Sequence, residues 1–360
     1  MREIISRLGK YMLLRSVSVF FTLLIAVYLT VFIANWGGHM DDVRKFNIEY
    51  EVSVMVYANP ANQALSREDL QKLIHEITQQ EYSRQGLDRP FLVRSVGYLR
   101  DAMTLSLGRS EQLTSDSGSR EVRWVLLERI PPTLFLMATS NVLVFFLALF
   151  LALLLSRKYG SYLDRAVIAL APTSAAPAWL YGLFLILIFA AVLRVLPWGG
   201  MVEAPPPPTT WGYAMSVIRH MILPVSAMTL SLLFASIYSW RTFFLIYSSE
   251  DYIDLARAKG LSSRAIERRY ILRPALPPII TQFLIMVIYM WMGAVVTETV
   301  FMWPGLGRLF FQAIQMNDTP VIVGVVVIMG YLLAASVLLL EFIYAALDPR
   351  VRLGAGGGKR

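Results

Sequence analysis

The sequence predicts an all-α membrane protein with six transmembrane helices. Of its 360 residues, 56% are hydrophobic, and the mean hydropathy is +0.55. Soluble domains usually hold about 45–50% apolar residues. Long apolar segments alternate with polar ones, and about 20 apolar residues cross a hydrocarbon core roughly 30 Å thick. Basic residues collect in alternate connections, as expected when those connections share one side of a membrane.

Six segments have the length and composition of membrane spans. The third contains Pro172 and Pro177, so we expect it to be kinked or to start late. Any one segment could be a buried helix of a soluble protein, but six together favour a membrane bundle. The segments are residues 16–36, 133–155, 166–193, 221–240, 275–296 and 321–346.

The placement of charge predicts the orientation of the chain. The net charge is +8, from 33 basic and 25 acidic residues. Six spans put both termini on one side, and basic residues cluster there, in 2–15, 157–165, 257–273 and 350–360. Both termini are therefore expected in the cytoplasm. Cysteine is absent, which excludes disulfides and thiolate sites.

The spans divide the chain into an N-terminal region with the first span (1–36), an extracytoplasmic loop (37–130), a transmembrane core (131–353) and a disordered glycine-rich tail (354–360). Within the loop, residues 48–57 alternate in polarity, which predicts a strand. Ser66 opens a capping-box pattern before a helical run. We therefore expect a small α/β extracytoplasmic subdomain.

Residues 248–274 form a polar, basic connection between the fourth and fifth spans. Ser248 with Asp251 fits a capping box for a short helix, which Gly260 would end. Ser262 or Ser263 would cap a second helix. We interpret this element as a docking surface for a soluble partner, with adhesion to anionic lipid as the alternative.

The side chains of this connection suit docking. The small residues Ala256 and Ala258 would let the helix enter a cleft on the partner. Arg257, Lys259 and Arg264 could pair with acidic residues there.

The stretch DLARAKGL resembles the EAA loop of ABC importer permeases, in the form found in the dipeptide and oligopeptide permease family. Further segments, 98–110, 128–134, 293–307 and 347–353, are similar to that family in the same order, whereas 37–95 match no pattern and Pro274 replaces an expected asparagine. The coupling residues that the resemblance identifies are Asp254, Leu255, Ala256, Arg257, Ala258, Lys259, Gly260, Leu261 and Arg264.

The resemblance implies a type I ABC importer permease fold in the cytoplasmic (inner) membrane of a prokaryote. It further implies a heterodimer with a second homologous permease subunit, two ABC ATPase subunits below it and an extracytoplasmic substrate-binding protein above it. ATP and Mg would be bound by the ATPases, so this chain would hold no cofactor or metal itself. The coupling helix would lie in a groove of an ATPase.

Five residues are candidates for a gate or pore: Arg241, Glu298, Trp303, Pro304 and Gly305. Arg241 either ends the fourth span or faces a wet pore, because a charge inside a bilayer is costly. Glu298 either serves the pathway or pairs with Arg308 near the surface. The Trp-Pro-Gly sequence predicts a tight turn with a positive φ at Gly305, either in a gate or docking surface or in a structural cap.

The chain lacks the phosphate-binding pattern GxxxxGK[ST] and the hydrolase patterns GxSxG and HExxH. It is therefore not expected to hydrolyse ATP or to be an enzyme, and its basic residues are not arranged for nucleic acid. The predicted function is the pore subunit of an ATP-driven peptide importer working by alternating access. Oligosaccharide or nickel import is the nearest alternative, and a stand-alone channel or membrane scaffold is the alternative from another class.

Overall fold

A computed structural model of the chain describes residues 2–36, 38–62, 65–290 and 293–347. Across these ranges the chain is predominantly helical, and the single β pairing is an isolated bridge between Arg109 and Glu121. The all-α prediction is confirmed. The helices are α1 Arg2–Trp36, α2 His39–Ala58, α3 Arg67–Arg84, α4 Phe91–Met103, α5 Val122–Leu127, α6 Ile130–Arg157, α7 Tyr162–Leu170, α8 Ala178–Leu185, α9 Thr210–Ser248, α10 Asp251–Ala258, α11 Ser263–Ile266, α12 Arg273–Tyr289, α13 Val295–Val300, α14 Leu306–Gln315 and α15 Thr319–Leu347.

Within the part of the chain that the structure describes, five helical stretches are long and apolar enough to cross a membrane, and a sixth span results if one bent pair is counted. The five are Gly9–Ala34, Val122–Arg157, Thr210–Ser248, Ser263–Ile288 and Thr319–Ile343. They overlap five of the six predicted segments.

The third predicted span is the bent pair. Its two arms, Tyr162–Ala175 and Ala178–Val192, meet at 101°. The break falls between Pro172 and Pro177, because proline supplies no N–H for the helical hydrogen bonds and restricts the residue before it. The kink was predicted, but its size makes this segment a broken span or a re-entrant loop.

The predicted strand at residues 48–57 is wrong, because these residues belong to α2. Ile48, Val52 and Val56 recur at every fourth position and are buried together with Leu87. Such spacing places them on one helical face, where they pack against α3 residues such as Ile77. Helices α2 and α3 therefore form a hairpin, and the strand expected at the start of this α/β subdomain is corrected to a helix.

Ser66 is confirmed as the N-cap of α3, since the Asp69 N–H donates to Ser66 Oγ at 3.2 Å. The reciprocal contact differs from that of a capping box, because the Ser66 hydroxyl and not its backbone N–H donates to Asp69 Oδ2, at 2.7 Å. The cap satisfies a donor that the first helical turn would otherwise leave unpaired, so α3 begins at Arg67.

The chain divides into two compact units. Unit 1 comprises Met1–Leu126, Ala313–Ala334 and Tyr344–Arg360, and unit 2 comprises Leu127–Gln312 and Ala335–Ile343. The predicted tail, 354–360, lies outside the described residues.

In unit 1, α1, α4 and α15 share a core around Val27, Val31 and Val327. The buried Asp318 carboxylate accepts hydrogen bonds from Ser110 Oγ and from the Gln112 and Leu113 backbone N–H groups. These bonds fasten the segment before α5 to the start of α15.

In unit 2, α6 packs along α9 with α12 beside them. Ala148 and Ala152 are fully buried, and their small side chains allow the helices to approach closely. Phe145, Ile237 and Phe244 fill the space around them. This three-helix core carries the residues discussed next.

Candidate functional site

The polar connection between α9 and α12 forms a short helix, a glycine turn and a second helix. The first helix is α10, and Glu250 precedes it as the N-cap. Ser248 does not cap it, contrary to the prediction: it is the last residue of α9, and its hydroxyl donates to the Phe244 carbonyl at 2.7 Å. Helix α9 continues beyond Trp240, the predicted end of the fourth span, as far as Ser248.

The turn after α10 has the geometry of a Schellman C-cap. Gly260 has φ +75°, its N–H donates to Arg257 O at 2.9 Å, and the Leu261 N–H donates to Ala256 O at 3.3 Å. These two bonds satisfy carbonyls at the end of the helix, and glycine adopts the left-handed backbone without a Cβ clash. Of the two candidate serines, Ser262 is the cap of α11.

The two faces of α10 have different roles. Ile253 and Ala256 are buried against Ile266 of α11, and Ala256 is only 2% exposed. Ala256 therefore holds the two helices together and is not available to enter a partner's cleft. Leu255 is 57% exposed on the outer face. The other exposed members of the predicted set are Asp254, Arg257, Ala258, Lys259, Gly260 and Arg264.

We refer to α10, the Gly260 turn and α11 as the elbow. An ion pair ties it to α6, since Arg157 at the end of α6 contacts Glu267 directly after α11. Glu267 begins a π-helical turn, Glu267–Leu272, that runs into α12. The elbow is thus continuous in the chain with α9 before it and α12 after it, and the ion pair connects it to α6.

A second ion pair is buried in unit 2. The Arg241 guanidinium donates through both Nε and Nη2 to the Asp164 carboxylate, with Nη2 to Oδ2 at 2.6 Å. The Gly160 N–H also donates to Asp164 at 2.9 Å. Helix α9 continues past Arg241 to Ser248, and the charge is neutralised within the chain. Where the sequence offered the end of a span or a wet pore for this charge, the structure places it in a buried ion pair within the chain.

Glu298 is fully buried at the start of α13. Thr133 Oγ1 donates to its Oε1 at 3.0 Å, and the Arg308 backbone N–H donates to its Oε2 at 3.0 Å. The expected ion pair with the Arg308 guanidinium does not form, because that group donates to the Met302 carbonyl. Burial raises the pKa of the Glu298 carboxyl, although hydrogen bonds from Arg308, Thr133 and Gly307 act in the opposite direction.

The Trp-Pro-Gly turn packs on the first turn of α6. Trp303 is fully buried, and its indole Nε1–H donates to Pro132 O at 2.9 Å. The positive φ of this turn is at Met302 (51°) and not at Gly305 as predicted. Gly305 is required for space, because a Cβ there would overlap the Glu298 carboxylate and the Thr133 hydroxyl. Glu298 packs against this turn. We call Glu298, Trp303, Pro304 and Gly305 the gate cluster.

Several partners in these contacts were not predicted. Arg157 at the end of α6, Asp164 and Glu267 belong to no recognised motif. Pro132 and Thr133 lie in the segment 128–134 that resembles the family, but the resemblance gave neither residue a partner. Ser161 before Asp164 does form a cap, with the Asp164 N–H donating to its hydroxyl at 3.3 Å. That Ser-x-x-Asp pattern was a local signal for the helix start, but it does not indicate a partner 77 residues away.

Residues 130–353 match the family model described as "Binding-protein-dependent transport system inner membrane component". The match covers more than half of the chain and includes the elbow and the gate cluster. The chain belongs to this family.

Similar proteins are peptide permeases. The chain is 31% identical over 330 residues to the "Probable D,D-dipeptide transport system permease protein DdpB" of Escherichia coli (strain K12), covering 87% of this chain and 93% of the relative. It is 30% identical over 272 residues to the "Dipeptide transport system permease protein DppB" of Bacillus subtilis (strain 168), covering 75% and 82%. It is 29% identical over 274 residues to the "Oligopeptide transport system permease protein AppB" of the same strain, covering 76% and 84%.

Family membership confirms the resemblance derived from the EAA-like loop. It makes the chain a multi-pass inner-membrane component of its transport system and a permease subunit instead of an enzyme. The family's transport systems also include binding-protein partners, as the description states.

Proposed function

We propose that this chain is one of two permease subunits through which an ATP-driven importer moves peptides across the cytoplasmic membrane of a prokaryote. The relatives named for dipeptides and oligopeptides match most of this chain and most of their own length. An extracytoplasmic binding protein delivers the peptide. The second permease is a homologous but different chain, so the two subunits form a heterodimer. Both termini of the present chain lie in the cytoplasm.

The elbow is the surface on which an ABC ATPase docks. One observation supports this docking role above all: the elbow buries Ile253 and Ala256 in its own core and leaves Leu255 exposed. An exposed leucine on a short polar helix suits an apolar pocket, and Lys259 and Arg264 beside it suit an acidic rim. The ATPases bind ATP and Mg, while the permease binds neither.

Helix α6 connects the elbow to the gate cluster. It has 28 residues and therefore spans about 42 Å at ~1.5 Å per residue. Arg157 at one end contacts the elbow through Glu267. Pro132 and Thr133 at the other end hydrogen-bond Trp303 and Glu298.

Closure of the ATPases on ATP displaces the elbow, and α6 with α9 and α12 transmits that displacement to the gate cluster. Access then alternates between the two sides of the membrane. Glu298, Trp303, Pro304 and Gly305 move as one packed element. Arg241 does not line the peptide pathway. Its ion pair with Asp164 holds α9 in a fixed rotation about the helix axis.

Purification of the tagged chain from its host tests this function. Two ATPase subunits and a second permease should co-purify, and proteoliposomes holding this complex, the binding protein and ATP should accumulate peptide. Import by the isolated chain without nucleotide would contradict the proposal and favour a channel. A chain that purifies with lipid alone and transports nothing would favour a membrane scaffold.

A further inference from the structure

A cavity of about 500 Å³ lies within unit 2, between α6, α9 and α12. This volume falls within the range of roughly 300–1,000 Å³ found for small-ligand sites. The wall contributed by α9 includes Ser236, Ser239, Trp240 and Phe243, which recur at helical spacing and so lie on one face of that helix.

Polar side chains meet in this cavity although the helices that carry them are strongly apolar. Asn141 comes from α6, Ser236 and Ser239 from α9, and Gln282 from α12. The Asn141 amide donates to Met137 O of its own helix at 2.8 Å, which fixes the amide at the cavity wall. Polar groups inside a membrane bundle face its interior or a water-filled space, because lipid offers them no hydrogen bonds.

The opposite face of α9 is locked. Arg241 lies between the cavity residues Trp240 and Phe243 in sequence, but it points to Asp164, and Phe244 is buried in the helix core. The helix cannot rotate without breaking this ion pair. The orientation that places the two serines in the cavity is therefore built into the fold.

We propose that this cavity is a transient binding site for the peptide in transit, an inference that rests on the proposed function. Amides and hydroxyls hydrogen-bond main-chain N–H and C=O groups, which all peptides share. The rings of Trp240 and Phe243 give side chains a broad apolar contact. Such a lining recognises the peptide backbone and tolerates different side chains, as a pathway for peptides of varied sequence requires.

The absence of cysteine from the chain allows a direct test. Ser239→Cys and Gln282→Cys each place one thiol in the cavity, and Phe150→Cys places one on an exposed apolar surface of α6 as the matched control. Methanethiosulfonate reagents react with the ionised thiol, which forms readily only in water. The complete importer is reconstituted with its binding protein and labelled with and without ATP and a tryptic digest of casein.

The cavity cysteines should react severalfold faster than the cysteine at position 150, and peptide import should slow their reaction severalfold. Ser239→Trp should abolish import by filling the cavity while the ATPases remain bound, whereas Tyr238→Trp, next to Ser239 in α9 but outside the cavity lining, should import normally. Failure of the unmodified complex to import casein peptides would refute the proposed function itself. An importing complex whose cavity thiols are unreactive or unprotected by peptide, or whose Ser239→Trp variant imports normally, would overturn the cavity site alone.

Discussion

Arg157 and Glu267 form an ion pair between the end of α6 and the turn that follows α11, across 110 residues of sequence. Arg157 is half exposed, so the pair adds little to stability, about 0.2–1 kcal/mol for pairs of this kind. Its position gives it another significance, because it is an ionic link between the elbow and the helix that reaches the gate cluster, beside the apolar packing of Ile271.

Reversing the charge of Arg157 alone should uncouple ATP hydrolysis from import. Arg157→Glu places two carboxylates together and so repels the elbow from the end of α6, while the apolar contacts of Ile271 keep the bundle folded. We expect peptide import per ATP hydrolysed to fall severalfold, measured in proteoliposomes. The double variant Arg157→Glu with Glu267→Arg should restore the ratio. Equal losses in the single and double variants would show that the contact between the two residues does not transmit motion.

Gly260 should tolerate only residues that accept a left-handed backbone. A Cβ at this position meets no atom within 4 Å, so the cost of substitution is conformational. Gly260→Glu should disturb the turn by roughly 1–2 kcal/mol and weaken ATPase binding, measured by co-purification. Gly260→Asn is the matched control, since asparagine enters this region more readily. If Gly260→Glu retained both the ATPases and normal import, the docking role of the elbow would be wrong.

Removal of one member of the buried pair Asp164–Arg241 should be more damaging than removal of both charges. Arg241→Gln leaves the Asp164 carboxylate buried without its counter-ion, which costs about 3–5 kcal/mol. The double variant Arg241→Gln with Asp164→Asn removes both charges and should recover much of that loss. Thermal unfolding in detergent measures the difference. A double variant that is less stable than Arg241→Gln would contradict this assignment.

The stability of the protein should depend on the ionisation of Glu298. Its pKa is raised above the ordinary value of 4.5, so the folded state holds the proton more tightly than the unfolded state does. The resulting stabilisation is complete below the unfolded pKa and is lost as the pH rises through the folded pKa.

The melting temperature of the unmodified protein, measured against that of Glu298→Gln, should therefore fall as the pH is raised above about 4.5. Glu203→Gln, at a half-exposed carboxylate, serves as the control. If the melting temperature of the unmodified protein instead rose with pH relative to that of Glu298→Gln, the hydrogen bonds would outweigh burial at this site.

The sequence was sufficient for features that depend on local chemistry. Apolar segments of adequate length predicted the spans, Ser66 predicted the start of α3, and Gly260 predicted the end of α10. Residues 48–57 were predicted as a strand because polar and apolar residues alternate there. The same residues also carry the helical four-residue spacing of Ile48, Val52 and Val56. Only the packing of α2 on α3 decides between the two patterns.

The candidate site could be predicted only in part, because its contacts are long-range. Thr133 and Glu298 lie 165 residues apart, and no spacing rule connects them. The direction in which Ala256 faces depends on the turn at Gly260, which folds α11 back onto α10. A sequence motif therefore located the elbow but could not separate its packing face from its exposed face.

Photo-crosslinking from Leu255 tests the central claim most directly, namely that the elbow contacts an ATPase. Since the chain has no cysteine, Leu255→Cys can carry a single benzophenone, and Val96→Cys on the exposed surface of α4 is the control. In an importing complex, we predict a crosslink from position 255 to an ATPase subunit, with a yield that changes on addition of ATP, and none from position 96. Crosslinks from position 255 to lipid alone, in a complex that still imports peptide, would contradict the account.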